Sequence, residues 1–246
     1  MPSFGPSHPR FADVYRTLIS HVIAGEAVGI EHYAQMIPIA RTIDERMQLL
    51  EDAWSEKCHL KSMLAAAHEL GVTPTSAIDD QYWGKVRAAF RARAVAGDLA
   101  GCYVIQDIVL ECLAVAFYEG LVPRLEPTVA ARLAAIAQEE REHLAHGTAT
   151  AAEFHSEDPL GLEQRVEYAN ENAGRVLSEW MRPRDCEPVC GVCTITRGSC
   201  FKEDLQLLQV DIAATRGRFT ALYGKTLRDV GFSPARVTRW VARLAS

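Results

Sequence analysis

Two copies of one spacing constrain this chain more than anything else in it. Glu56-Lys57-Cys58-His59 and Glu140-Arg141-Glu142-His143 each set a Glu and a His three residues apart. On a helix that spacing puts both side chains on one face. Glu26 stands 30 residues before Glu56, and Glu111 stands 29 before Glu140, both in apolar stretches. Two helix pairs therefore each supply one Glu and one Glu-x-x-His. This is the ligand set with which a four-helix bundle holds two metal ions in its core.

The rest of the chain reads as helices that can deliver those residues. After an irregular arm at residues 1–10, with three prolines, a helix is predicted from Phe11 to about Pro38. Its apolar positions, Ile19, Val22, Ile23, Ile30 and Tyr33, follow steps of three and four, and Glu26 lies among them. A second helix runs from about Arg41 to Leu70, where Gly71 stops it, and a shorter one from about Lys85 to Ala96. The third main helix, about Leu99 to Glu119, is apolar on nearly every side and belongs at the centre. The fourth starts after Pro127 and reaches about Glu153. Further helices are predicted over Leu162 to Trp180, Lys202 to Val230, and Ser233 to Leu244. No hairpin signal interrupts the pattern. The fold class is all-α, and residues 1–246 read as one domain.

Charge decides between the candidate ligands. A lone buried carboxylate is costly. Glu111, among Ile108, Leu110, Ala114, Val115 and Tyr118, has no Lys or Arg on its own helix face. Glu26, Glu56, Glu111 and Glu140 carry four negative charges, which two divalent metal ions balance. His59 and His143 add one nitrogen ligand each, and carboxylates with imidazoles suit iron or manganese. Glu31 competes with Glu26 but has Ala27, Ala34 and Gln35 around it. Glu139, Glu142 and His146 fall off the apolar face that carries Glu140 and His143. Tyr33, seven after Glu26, and Tyr118, seven after Glu111, are candidates to hydrogen-bond a ligand. Gln106 and Asp107 are polar in an apolar helix and need partners.

The cysteines are unevenly spread. Cys58 and Cys112, each beside a candidate ligand, read as small core residues, and Cys102 stands alone in a helical pattern. Cys186, Cys190, Cys193 and Cys200 crowd into a loop, residues 182–201. Four thiolates at such spacing suit a closed zinc site or an iron–sulfur cluster. An odd total of seven does not suggest a disulfide framework. The net charge of −6 without a basic patch argues against nucleic acid as a partner. The N-terminus lacks a signal-peptide pattern, and the apolar run Ile108 to Tyr118 is too short to span a membrane. A cytoplasmic protein without a transmembrane segment is the expectation.

Several stretches resemble a known family. Val22-Ile23-Ala24-Gly25-Glu26, Glu56-Lys57-Cys58-His59, Gly101-Cys102-Tyr103-Val104-Ile105-Gln106 with Glu111 to Tyr118, and Glu140-x-x-His143 are similar to the cyanobacterial aldehyde-deformylating oxygenases. So are Tyr223-Gly224-Lys225-Thr226-Leu227 and Val230-Gly231-Phe232-Ser233. The resemblance implies a ferritin-like fold and a di-iron site that activates O2. Its ligands map onto Glu26, Glu56, His59, Glu111, Glu140 and His143. It also implies a long-chain fatty aldehyde as substrate, alkane and formate as products, and an external reductase or ferredoxin as electron source. Two features depart from the family: an alanine near Ala66 replaces its second-helix cysteine, and the cysteine loop is additional. Relatives of the same fold oxidise nitrogen in amines or hydrazines, including an azoxy-forming enzyme, which makes an N-oxygenase the rival reading. A ferritin-like iron-storage or detoxifying protein is the alternative of another class. The cysteine loop and long tail fit it poorly.

Overall fold

The computed structural model describes residues 4–76, 81–181 and 200–245. Every regular element among them is helical. Four long helical stretches form the bundle: α1 (Phe11–Met36), α2 (Ile43–Glu69), the run α4 (Leu99–Tyr103) to α5 (Glu111–Leu121), and α6 (Pro127–Glu157). Local chemistry sets their ends. Thr42 caps α2 with a reciprocal bond to Glu45, so that α2 starts just after its expected position at Arg41. Asp98 caps α4, and Glu126 caps α6 with Pro127 in the first turn.

Between α4 and α5 the backbone winds into a π segment, Val104–Leu110. The sequence predicts one unbroken α-helix here. The wider turn shifts the register immediately before Glu111, a common place for such segments to mark function. The whole stretch Leu99–Arg124 has the length and apolarity of a membrane span, but 89% of its most apolar window is buried inside the protein. Its apolar surface serves the bundle core.

The remaining helices buttress the bundle. α3 (Gln81–Val95) packs on α1 and α4, and α7 (Pro159–Ala169) continues through a second π segment, Asn170–Gly174, into α8 (Arg175–Trp180). The helix predicted from Lys202 to Val230 is two helices, α9 (Phe201–Leu207) and α10 (Ile212–Val230). Gln209 takes a left-handed φ of 56° between them, and the Asp211 side chain caps α10 through the Ala214 amide. α9 packs on α1, and α10 on α5 and α6. Gly231, at φ 117°, ends α10 in a conformation that glycine adopts without strain. α11 (Pro234–Ala245) closes against α10.

Candidate metal centre

All six residues singled out by spacing meet in the middle of the bundle. α1 brings Glu26, α2 brings Glu56 and His59, α5 brings Glu111, and α6 brings Glu140 and His143. Every one is buried. Their donor atoms fall into two quartets, each within 4.8 Å: Glu26, Glu56, His59 and Glu140, then Glu56, Glu111, Glu140 and His143. Glu56 and Glu140 belong to both. The Glu of each Glu-x-x-His is thus shared, whereas each upstream Glu and each His serves one quartet.

Both imidazoles turn Nδ1 to the carboxylates. His59 Nδ1 lies 3.2 Å from Glu26 and 3.3 Å from Glu140, and His143 Nδ1 lies 3.1 Å from Glu140. Among the described residues no Lys or Arg pairs with the four carboxylates. Without a metal the protein must hold this charge by protons. Burial pushes the Glu56 and Glu111 carboxyls well above the usual range, and the neighbouring carboxylates push the same way. Burial also acts to raise Glu140, but hydrogen bonds from His143 and His59 outweigh it and bring the carboxyl down to about 2. Burial opposes charge on His59, but hydrogen bonds to Glu140 and Glu26 hold its imidazolium up to about 11. Four oxygen ligands and two nitrogen ligands that repel unless protonated form a donor set suited to two divalent ions.

A polar shell fixes the six side chains. Tyr118 donates to Glu26 across the bundle at 2.6 Å, not to Glu111 on its own helix. Tyr33 lies beside the His143 ring, with centroids 6.5 Å apart, but its hydroxyl goes to Asp107 at 3.0 Å and to none of the six. Gln106 donates to Glu111 at 3.0 Å, a five-residue step that the π segment makes possible. Its amide oxygen lies 2.7 Å from His32 Nδ1, so His32 donates and fixes the orientation of the amide. Burial holds His32 neutral, down to about 3.

His32 and three further contributors escaped the sequence reading. Glu139 lies off the apolar face of α6, as periodicity indicates, yet it accepts from His59 Nε2 at 3.0 Å and from Ser55 at 3.1 Å. Asp52 is buried one turn before Glu56 and takes a bond from Gln48. Gly29 faces the Glu56 carboxylate so closely that a Cβ there would stand 2.9 Å from its carboxyl carbon. A glycine inside a long apolar helix was the available signal.

The competitors sort cleanly. Glu31 pairs with Arg87 at 2.8 Å, and Glu142 and His146 face solvent. Cys58, expected in the core, is exposed on the outer face of α2, because His59 beside it takes the inward position. Cys112 is buried. Cys200 is half-buried ahead of α9, while Cys186, Cys190 and Cys193 lie outside the described residues.

A cavity of about 70 Å³ opens on the carboxylate side. Glu26, Glu56, Glu111 and Glu140 form its floor, with Val22, Leu110, Leu113, Ala114 and Phe117 among its walls.

A family profile described as long-chain fatty aldehyde decarbonylase matches residues 8–177, which takes in all six residues of the centre. The chain belongs to that family. Its fold is shared by a solved structure, protein 19 with aldehyde deformylating oxidase activity from Synechococcus, at a TM-score of 0.79 and 20% identity. That likeness covers 97% of this chain and 99% of the other. The family is one of enzymes, and the architecture agrees with the four-helix bundle that the ligand spacing predicts and with the ferritin-like fold that the resemblance implies.

Proposed function

We propose that the protein is a non-heme di-iron oxygenase acting on a long-chain fatty aldehyde, with Glu26, Glu56, His59, Glu111, Glu140 and His143 as metal ligands. The observation that carries this reading is the pair of quartets sharing Glu56 and Glu140. A shared pair of carboxylates is what two adjacent cations need. Two ferrous ions held there supply O2 binding and its reduction, with electrons from an external reductase or ferredoxin.

The chain's own residues do the rest. Tyr118 and Gln106 hold the carboxylates of Glu26 and Glu111 by hydrogen bonds. Glu139 holds His59 by Nε2, which leaves Nδ1 aimed at the centre. Val22, Leu110, Leu113, Ala114 and Phe117 line an apolar approach over the carboxylates. An alkyl chain fits such walls, and they keep water from the reacting end.

Anaerobic loading with ferrous iron is expected to give two ions per chain. Admission of O2 and a reductant to a panel of fatty aldehydes should then give alkane and formate by mass spectrometry. Amines and hydrazines belong in the same panel, since nitroso, nitro or azoxy products from them would assign an N-oxygenase instead. A chain that takes up no iron would sink the reading altogether.

A further inference from the structure

The outer face of α2 carries a feature that the metal centre does not use. Among the described residues seven large apolar side chains are exposed, and five lie on this helix: Ile43, Met47, Leu50, Trp54 and Leu64. Their exposures run from 43% at Leu64 to 70% at Ile43. With Lys57 and Lys61 they occupy steps of four and three without a break from residue 43 to residue 64. That is the seam pattern by which one helix packs along another. Glu56, His59, Met63 and Ala66 of the same helix are buried on the opposite side, so the seam is a second face and not a misplaced core. At 1.5 Å per residue it is about 33 Å long, and at helix width it offers on the order of 300 Å², within the range of the largest, often functional, patch on a monomer.

Charge along the seam selects the occupant. The N-terminal half is flanked by Asp44 and Glu51 against Arg46, a net acidic edge, and all three are exposed. The C-terminal half carries Lys57, whose amine lies 3.5 Å over the Trp54 ring, and exposed Lys61. A parallel copy of the helix would set each lysine against itself, which like charges oppose. An antiparallel copy sets the basic half over the acidic half. In that register Trp54 meets Leu50 of the second copy, Lys61 meets Ile43, and the Lys61 amine reaches the neighbouring Asp44.

We infer that the outer face of α2 docks the antiparallel α2 of a second copy of this chain. Sedimentation equilibrium on the natural chain should show a monomer–dimer equilibrium. Leu50→Glu and Trp54→Glu, at exposed positions, should leave thermal unfolding of the monomer unchanged and weaken the dimer by about tenfold or more. Lys61→Asp and Asp44→Lys should each weaken it as well, and the two combined should restore it, because only an antiparallel pair brings these positions together. A chain monomeric up to its solubility limit overturns the inference. So does a dimer indifferent to Trp54→Glu, or a double charge swap without recovery.

Discussion

The two quartets of the candidate metal centre are near copies in their donor groups and differ in what holds them. The Glu26–His59 quartet is braced in part from the surface: Glu139, half exposed, takes His59 Nε2, Ser55 bonds the same carboxylate, and buried Tyr118 holds Glu26. The Glu111–His143 quartet is braced from the interior. Gln106 holds Glu111, His32 holds Gln106, and Tyr33, bonded to Asp107, lies beside the His143 ring, all buried. A repeated ligand motif therefore does not repeat its support. One quartet reaches solvent through the half-exposed Glu139, whereas the side chains that brace the other are all buried.

The largest expected effect separates shared from unshared ligands. Glu140→Ala or Glu56→Ala removes a donor from both quartets and should take the chain from two bound ions to none. Glu26→Ala or Glu111→Ala removes a donor from one quartet and should leave one ion at the other. Elemental analysis of anaerobically loaded variants distinguishes these outcomes. Equal loss in all four variants would mean that the halves do not bind independently, and the comparison would fail.

Acidity gives the next effect. In the metal-free protein His59 has its pKa raised to about 11. Its stabilising contribution is full below its ordinary value near 6.5 and is lost as pH rises through 11. Glu56 and Glu111 are also raised, so the folded state holds their protons longer than the unfolded state does, and stability again falls as pH rises. Glu140, brought down to about 2, adds stability above the ordinary carboxyl value that is lost as pH falls towards 2. The metal-free protein should therefore lose several degrees of unfolding temperature between about pH 6 and pH 10, at about 2–4 °C per kcal/mol. The metal-loaded protein should change much less, since the ions replace those protons. Calorimetry of both forms over this range checks it, and a metal-free curve flat with pH would remove the proton-held account of the cluster.

Removing a single brace should cost less. Gln106→Ala on the enclosed side and Tyr118→Phe on the other each delete one hydrogen bond to a carboxylate, expected to weaken ferrous binding about 10–100-fold. Gln106→Ala should be the worse of the two, because it also strands buried His32 Nδ1 without its acceptor. Ferrous titration monitored by absorbance ranks them, and the reverse order would contradict the enclosed picture.

What the sequence disclosed follows the same divide. A carboxylate in an apolar stripe is conspicuous on its own helix, so the six residues that meet in the core and the bundle that unites them were legible from spacing. So were helix ends where the stop lies in the chain itself, as at Gly71 and Gly231. The partners of the bracing were less legible, because all but the Gln106–Glu111 bond cross to another helix. Glu139 lies on the wet side of α6, and only the approach of α2 reveals His59 above it. Tyr118 sits at the right spacing to serve Glu111 but reaches Glu26. The π segment Val104–Leu110 left no periodic trace, since residues apolar on every side look alike in either winding. The break at Gln209 was missed because Leu205, Leu208 and Ile212 keep a helical rhythm across it, and the Asp211 cap was the one local sign.

The smallest effect tests the solvent-facing brace. Glu139→Gln keeps the size of the side chain and an acceptor oxygen for His59 Nε2 but removes the charge. At a half-exposed site the lost charge interaction is screened, and exposed ion pairs contribute on the order of 1 kcal/mol or less. Ferrous affinity at the Glu26–His59 quartet should therefore fall less than about tenfold, and the fall should shrink in high salt. Glu139→Ala removes the acceptor as well and should fall further, with no recovery in salt. If Glu139→Gln instead matched Gln106→Ala and ignored ionic strength, the surface-braced half would be as enclosed as its counterpart. The difference between the quartets would then lie in their ligands alone.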